Sequence, residues 1–187
     1  MPTGRAFVAV VPPPAVLDAV EPVAERVCGH LHDARCTPRP QWHLTLQFLG
    51  NRVDLDAVAG ALGSLVHAPF GVRLAGLGAF PNPRRARVVW VGVGEGRAEL
   101  EALAGAVEAV LAPTGFVAEE RAHQPHLTLA RLRTPAPVVE IVEAGGAPGG
   151  GAIGPAWGVG EVVLFESVTR REGAEHRPVV AVPLEGA

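Results

Sequence analysis

The chain has 187 residues, of which 48% are hydrophobic and 19% charged, the composition of a folded globular protein. A net charge of −3 speaks against a broad nucleic-acid surface that works by counterion release. No apolar run is long enough for a transmembrane helix, and "MPTGRAFVAVVPPP" lacks the layout of a signal peptide, so a cytoplasmic protein without membrane contact is expected.

All 16 basic residues are Arg and none is Lys, for which genomic codon bias is the plainer cause. Arg is nevertheless the side chain best shaped for bidentate contact with phosphate. A small phosphate site stays open, whereas a long duplex groove does not. Cys28 and Cys36 have no metal-type spacing and are too few for a disulfide framework, so ordinary packing is expected of them.

In chain order, Arg5 to Pro13 reads as a short buried strand stopped by prolines. Val16, Val20, Val23 and Val27 recur at helical spacing after Pro14, with Pro22 expected to kink or shorten that helix. "WHLTLQFLG" is a strand with Leu44, Leu46 and Phe48 on one face. A helix begins at an Asp54 cap, with Leu55, Val58, Leu62 and Leu65 inward.

"FGVRLAGLGAFP" and "RARVVWVGV" are strands joined by the turn-rich "PNPRR". Arg97 to Leu111 is the clearest helix, and Gly115 is placed to end it. "HLTLA" is a strand, Pro137 to Ala144 a short helix, and "GGAPGGGAIGPAWG" (145–158) an irregular Gly-rich loop. "VGEVVLFESV" and "HRPVVAVPL" are the last strands.

The tetrapeptide His-Leu-Thr-Leu occurs twice, at His43 and His126, 83 residues apart (126 − 43). Each copy follows a strand and a helix, and each is followed by a helical stretch and another apolar strand. Such a repeat predicts two similar lobes related by a rough two-fold axis, with the motif strands facing each other.

Side chains alternate along a strand, so His43 and Thr45 share one face, as do His126 and Thr128. Facing lobes would then bring two imidazoles and two hydroxyls to one cleft. Two imidazoles on opposite sides of a phosphate can serve as general base and general acid, and Thr hydroxyls can donate to the non-bridging oxygens. A lone His in a strand is usually structural; two matched His-x-Thr pairs reverse that reading. His123 and His126 could start a metal site, but no carboxylate or cysteine stands near to complete it.

These phrases, with "RAFVAVVPP", "GLGAFPNPRRARVVWVGV", "GFVAEERAHQPHLTLARL" and "VVLFESVTRREGAEHRP", make the sequence resemble the 2H phosphoesterase superfamily. Within it, the likeness is to the bacterial and archaeal RNA 2',3'-cyclic phosphodiesterases, also called 2'-5' RNA ligases. The resemblance implies an α+β, bilobal, duplicated fold with antiparallel sheets lining a central cleft and helices outside, as a single domain over 1–187. It implies opening of an RNA 2',3'-cyclic phosphate to a 2'-phosphate, without metal or cofactor.

By the same resemblance His43 is the proton donor to the 3' oxygen and His126 the base acting on water, with Thr45 and Thr128 binding the phosphate. Arg131 is a further phosphate-binding candidate, although strict alternation puts it on the face opposite His126. The implied partner is RNA with a cyclic phosphate end, such as a tRNA-derived end, with small cyclic nucleotides as further candidates; a monomer is expected. The alternative is a non-catalytic RNA-end or phosphate-binding module. Relatives often carry Tyr near His176 and Phe where His123 stands, so both departures bear on base preference. Arg84, Arg85 and Arg87 form the densest basic patch, and core packing is expected of Phe48.

Overall fold

The computed structural model describes residues 3–117, 123–146, 149–170 and 173–186. The elements in chain order are β1 (Thr3–Val10), α1 (Pro14–Gly29), β2 (Ala34–Cys36), β3 (Leu44–Asp54), α2 (Leu55–Leu62), β4 (Phe70–Phe80) and β5 (Ala86–Glu95). They continue with α3 (Arg97–Leu111), β6 (Leu127–Ala136), α4 (Val139–Ala144), β7 (Ala152–Val159), β8 (Glu161–Arg170) and β9 (Gly173–Pro183). The strands form an antiparallel sheet in the order β7-β4-β5-β6-β3-β1-β8-β9, with β2 added beside β6.

The two halves meet at one point. β3 and β6, the strands that carry the repeated tetrapeptide, pair only through Leu44 and Leu127. Either side of that pair the order is symmetric: β6, β5, β4, β7 on one side and β3, β1, β8, β9 on the other. The expected two-fold is therefore present, with an exchange the sequence did not reveal. β4 follows β3 in the chain but lies in the half built on β6, while β8, which follows β6, lies in the half built on β3. Helices cross over too, since α1 packs on β7 and β6 and α3 packs on β3.

Burial explains the helices. Val16, Val20, Ala24 and Val27 are buried along α1, and Leu100, Leu103, Ala104, Val107 and Leu111 along α3. Such stripes at helical spacing supply most of the stability of surface helices. Asp54 caps α2, its side chain accepting from the backbone N–H groups of Asp56 and Ala57 at 3.1 Å. Pro22 does not shorten α1, which continues to Gly29 because the buried stripe continues past it.

Two further expectations are corrected. Residues 152–158 of the Gly-rich stretch, with Val159 after them, form the edge strand β7, paired with β4 from Phe70↔Val159 to Ala75↔Ala152. Ala147 and Pro148 of that stretch lie outside the described residues. Glycine there serves packing: a Cβ on Gly154 (φ +77°) would stand 2.8 Å from the Ala19 Cβ of α1. Composition signalled a loop where close helix–strand approach required small residues.

The second correction concerns Cys28 and Cys36, which form a disulfide with a Cα–Cα distance of 6.2 Å. It ties the end of α1 to β2, an element of three residues with no periodicity to betray it. Arg39 adds ion pairs from the turn after β2 to Asp18 and Glu21 of α1. Among the described residues no helix is long and apolar enough to cross a membrane.

Candidate active site

A cavity of about 430 Å³ lies over the junction of the two halves. His43, Thr45, His126 and Thr128 all line it, as expected. Because Leu44 pairs with Leu127 in antiparallel register, His43 neighbours Thr128 and Thr45 neighbours His126. The leucines of both motifs point the other way and are fully buried or nearly so, at 0–2% exposure.

Both imidazoles are held alike. His126 donates from Nδ1 to the carbonyl of Gln124 at 2.7 Å, and His43 is hydrogen-bonded to the carbonyl of Gln41. A carbonyl only accepts, so in His126 the proton sits on Nδ1 and Nε2 is left with its lone pair. Each acceptor stands two residues before its His, in "QWH" and "QPH".

Aromatic rings fix each imidazole against the sheet. The His43 ring stacks on Phe7 of β1 at 4.7 Å, and Phe7 stacks in turn on Phe165 of β8 at 5.2 Å. On the other side, His126 meets Phe80 of β4 edge-on at 4.9 Å and lies 5.7 Å from Trp90 of β5. Gly78 makes room for that indole, since a Cβ there would fall 2.2 Å from the Trp90 ring. Phe7 and Trp90 escaped the sequence reading because buried aromatics in strands look like ordinary core.

Arg131 lines the cavity together with the imidazoles, despite the alternation argument. Its strand explains why. β5 pairs Val89 with Ala130 and Trp90 with Thr128, leaving Leu129 as an extra residue on β6. Such a bulge shifts the alternation by one and re-aims the side chains beyond it.

β3 does the same thing. β1 pairs Val8 with Gln47 and Ala9 with Thr45, leaving Leu46 as the extra residue. Phe48 is accordingly not core: it is 52% exposed and lines the cleft, which corrects the packing expected of it.

The described lining of the cleft is basic in a chain of net negative charge. Arg5, Arg35 and Arg131 line it with His43, His126 and His176, and no Asp or Glu is among the described lining residues. His176 of β9 stands edge-on to His43 at 5.5 Å and to Phe7 at 4.9 Å. Burial pushes the His43 pKa down to about 4, and the positive charges of His176, His126 and Arg131 push the same way against the Gln41 carbonyl. Burial likewise holds His126 and His176 below the usual histidine value. At about 4, the His43 ring is neutral at pH 7.

Other arginines, tryptophans and histidines lie outside the cleft lining. Arg84, Arg85 and Arg87 are exposed where the chain turns into β5 and do not line the cleft. Trp42 is buried, its indole donating to the Thr37 carbonyl at 2.9 Å, while Trp157 is partly buried in β7. His30 and His67 donate to the carbonyls of Arg26 and Ala68. His123 is partly buried before β6 and its Nε2 has no hydrogen-bond partner.

A duplicated sheet that brings two His-x-Thr strands to one arginine-lined cleft defines a 2H phosphoesterase architecture. Residues 12–149 match the family model of the 2'-5' RNA ligase superfamily. Over 147 residues the chain is 36% identical to the RNA 2',3'-cyclic phosphodiesterase of Aeropyrum pernix, covering 75% of this chain and 81% of that one. Over 141 residues it is 34% identical to the RNA 2',3'-cyclic phosphodiesterase of Archaeoglobus fulgidus, covering 74% and 78%.

The solved structure of TT0787 from Thermus thermophilus superposes with a TM-score of 0.78 at 28% identity, over 97% of this chain and 98% of that one. E. coli LigT in its apo form gives 0.76 at 24% identity over 99% of each chain, a likeness of fold. The chain belongs to the 2'-5' RNA ligase superfamily.

Proposed function

We propose that this chain is an RNA 2',3'-cyclic phosphodiesterase, working as a single bilobal domain and as a monomer. One observation carries the reading: two imidazoles, held alike by backbone carbonyls, line one cleft with the two motif threonines, and no Asp or Glu is among its described lining residues. The names of the Aeropyrum and Archaeoglobus relatives support it.

In the reaction, His126 Nε2 takes a proton from water as the water oxygen bonds to phosphorus. The bond from phosphorus to O3' breaks, and His43 delivers a proton to O3', leaving a 2'-phosphomonoester. Thr45, Thr128 and Arg131 donate to the non-bridging oxygens as charge builds there. With its pKa lowered to about 4, His43 is neutral at pH 7, so a phosphate anion beside it must raise that value for it to act as the acid. The chemistry asks nothing of a metal ion or cofactor. With a 5'-hydroxyl in place of water, the same two imidazoles would join RNA ends by a 2'-5' bond.

A cytoplasmic setting fits an RNA-processing enzyme; the Cys28–Cys36 crosslink, uncommon in a reducing compartment, is the observation that stands against it. The test is incubation with a short RNA ending in a 2',3'-cyclic phosphate, in the presence of EDTA, with the product followed by phosphorus NMR. A 2'-phosphate product is expected. A 3'-phosphate product, or turnover abolished by the chelator, would overturn this mechanism. Binding of the RNA end without turnover would leave a recognition module.

A further inference from the structure

Arg5, Ser167 and His176 stand in one row across three strands. Arg5 of β1 pairs with Ser167 of β8, and Ser167 pairs with His176 of β9. Residues directly opposite in an antiparallel ladder share a face, and all three line the cleft. Glu166 and Arg177, the next pair in the β8–β9 ladder, alternate to the other face. The row therefore presents a guanidinium, a hydroxyl and an imidazole side by side. Arg5 is tethered through Nε, which donates to Asn51 Oδ1 at 3.2 Å, so one of its five N–H donors fixes the fork. Nδ1 of His176 is shut away from solvent and has no hydrogen-bond partner among the described residues, which leaves Nε2 as the nitrogen that can meet a ligand.

An aromatic row separates these groups from the reacting centre. Phe48 pairs with Phe7 and Phe7 with Phe165, and Phe7 lies under the His43 ring. Arg5 is two residues from Phe7, about 7 Å along the strand. The row lies in the half of the sheet built on β3, whereas Arg131 belongs to the half built on β6. The proposed mechanism surrounds the cyclic phosphate with the two threonines, the two catalytic imidazoles and Arg131. The Arg5 row is thus a second place for an anion, one strand repeat away from the first. Along an RNA chain, the next anion is the phosphodiester on the 5' side of the terminal nucleoside.

We infer that Arg5, Ser167 and His176 form a subsite for that 5'-side phosphate, with Arg5 as its charged member. The inference rests on the phosphodiesterase reading and adds to it the smallest good substrate, a nucleoside 2',3'-cyclic phosphate that also carries a phosphate on its 5' oxygen. Guanidinium is suited to the role because its fork matches the two free oxygens of a phosphodiester, and hydroxyl and imidazole N–H groups add donors beside it.

The experiment compares three substrates with the same terminal nucleoside: the nucleoside 2',3'-cyclic phosphate, its 5'-phosphorylated form, and the dinucleotide ending in it. Wild type, Arg5→Gln, Arg5→Lys and, as a control for overall charge, Arg84→Gln are assayed for kcat and KM, with melting curves as a check on folding. Wild type should favour both phosphate-bearing substrates over the first by about tenfold, the value of one charge-assisted contact. Arg5→Gln should bring those ratios close to one through KM, Arg5→Lys should keep part of them, and Arg84→Gln should leave them unchanged. Ratios near one in wild type, equal losses on all three substrates in Arg5→Gln, or the same fall in Arg84→Gln as in Arg5→Gln would overturn the inference. A gain confined to the dinucleotide would overturn it too, since the extra nucleoside would then be what is bound. If wild type turns over none of the three, the phosphodiesterase reading fails, and the same compounds are compared by equilibrium binding. A preference for the 5'-phosphorylated form that is lost in Arg5→Gln then supports the subsite, and a preference untouched by the substitution removes it.

Discussion

Leu46 and Leu129 occupy the same place in the two motif strands, each as the extra residue of a β-bulge after its His-Leu-Thr. Two residues further on, the bulges turn Phe48 and Arg131 into the cleft. One half contributes an aromatic ring and the other a cation at equivalent positions, so a symmetric scaffold acquires an asymmetric site.

The bulge at Leu46 makes a prediction about stability. A Phe in the core costs about 3–5 kcal/mol when cut to Ala. Phe48, half-exposed, should cost about 0.5 kcal/mol or less. Urea denaturation of Phe48→Ala measures this, and a core-sized loss would mean that the strand is not bulged.

Phe7 should behave in the opposite way. It is 3% exposed and lies under the His43 ring. Phe7→Ala should cost about 3–5 kcal/mol. Phe7→Leu keeps most of the volume, and its cost should stay below about 1.5 kcal/mol. It removes the stacking face nonetheless, so kcat should fall while the fold survives. Steady-state kinetics beside denaturation curves separates the two effects.

The bulges also mark where the sequence stopped being legible. The repeat, its two-fold relation and the cleft-facing His43, Thr45, His126 and Thr128 follow from a phrase written twice and from period-two alternation. Alternation then failed at the same step in both strands, because an inserted residue is visible only in the partner strand's register. β7 was hidden by its glycines, which composition reads as loop and α1 packing requires. Cys28–Cys36 was hidden because two cysteines eight apart gain meaning only once α1 and β2 are placed side by side.

Acid should destabilise the protein well above the range where carboxylates titrate. The folded His43 pKa of about 4 lies below the usual histidine value of 6.5, so between these values the unfolded chain binds the extra proton. Stability is then fully present above the unfolded pKa and falls as pH drops toward 4, by an amount on the order of 3 kcal/mol for His43. His126, His123 and His176, also lowered, act in the same direction. Urea midpoints at pH 7.5 and pH 5 test it, and His43→Ala should shrink the difference.

Reduction of the crosslink should loosen the cleft wall as well as the fold. Closing a loop of this length stabilises by roughly 2–3 kcal/mol in the chain-entropy account. A Cys28→Ser, Cys36→Ser double variant should therefore melt lower. If β2 is held in register by the bond, KM for an RNA substrate should rise in the double variant, with kcat less affected.

The pairing of His43 and His126 on one phosphate is the centre of this account, and its most direct test is kcat/KM against pH for wild type, His43→Ala and His126→Ala on one cyclic-phosphate RNA. Wild type should give a bell, because one imidazole must be neutral and the other charged. Each variant should lose about 10²–10⁴-fold in rate, with the acid limb missing in His126→Ala and the alkaline limb missing in His43→Ala. A bell that survives in either variant, or a rate within a few-fold of wild type, would contradict it.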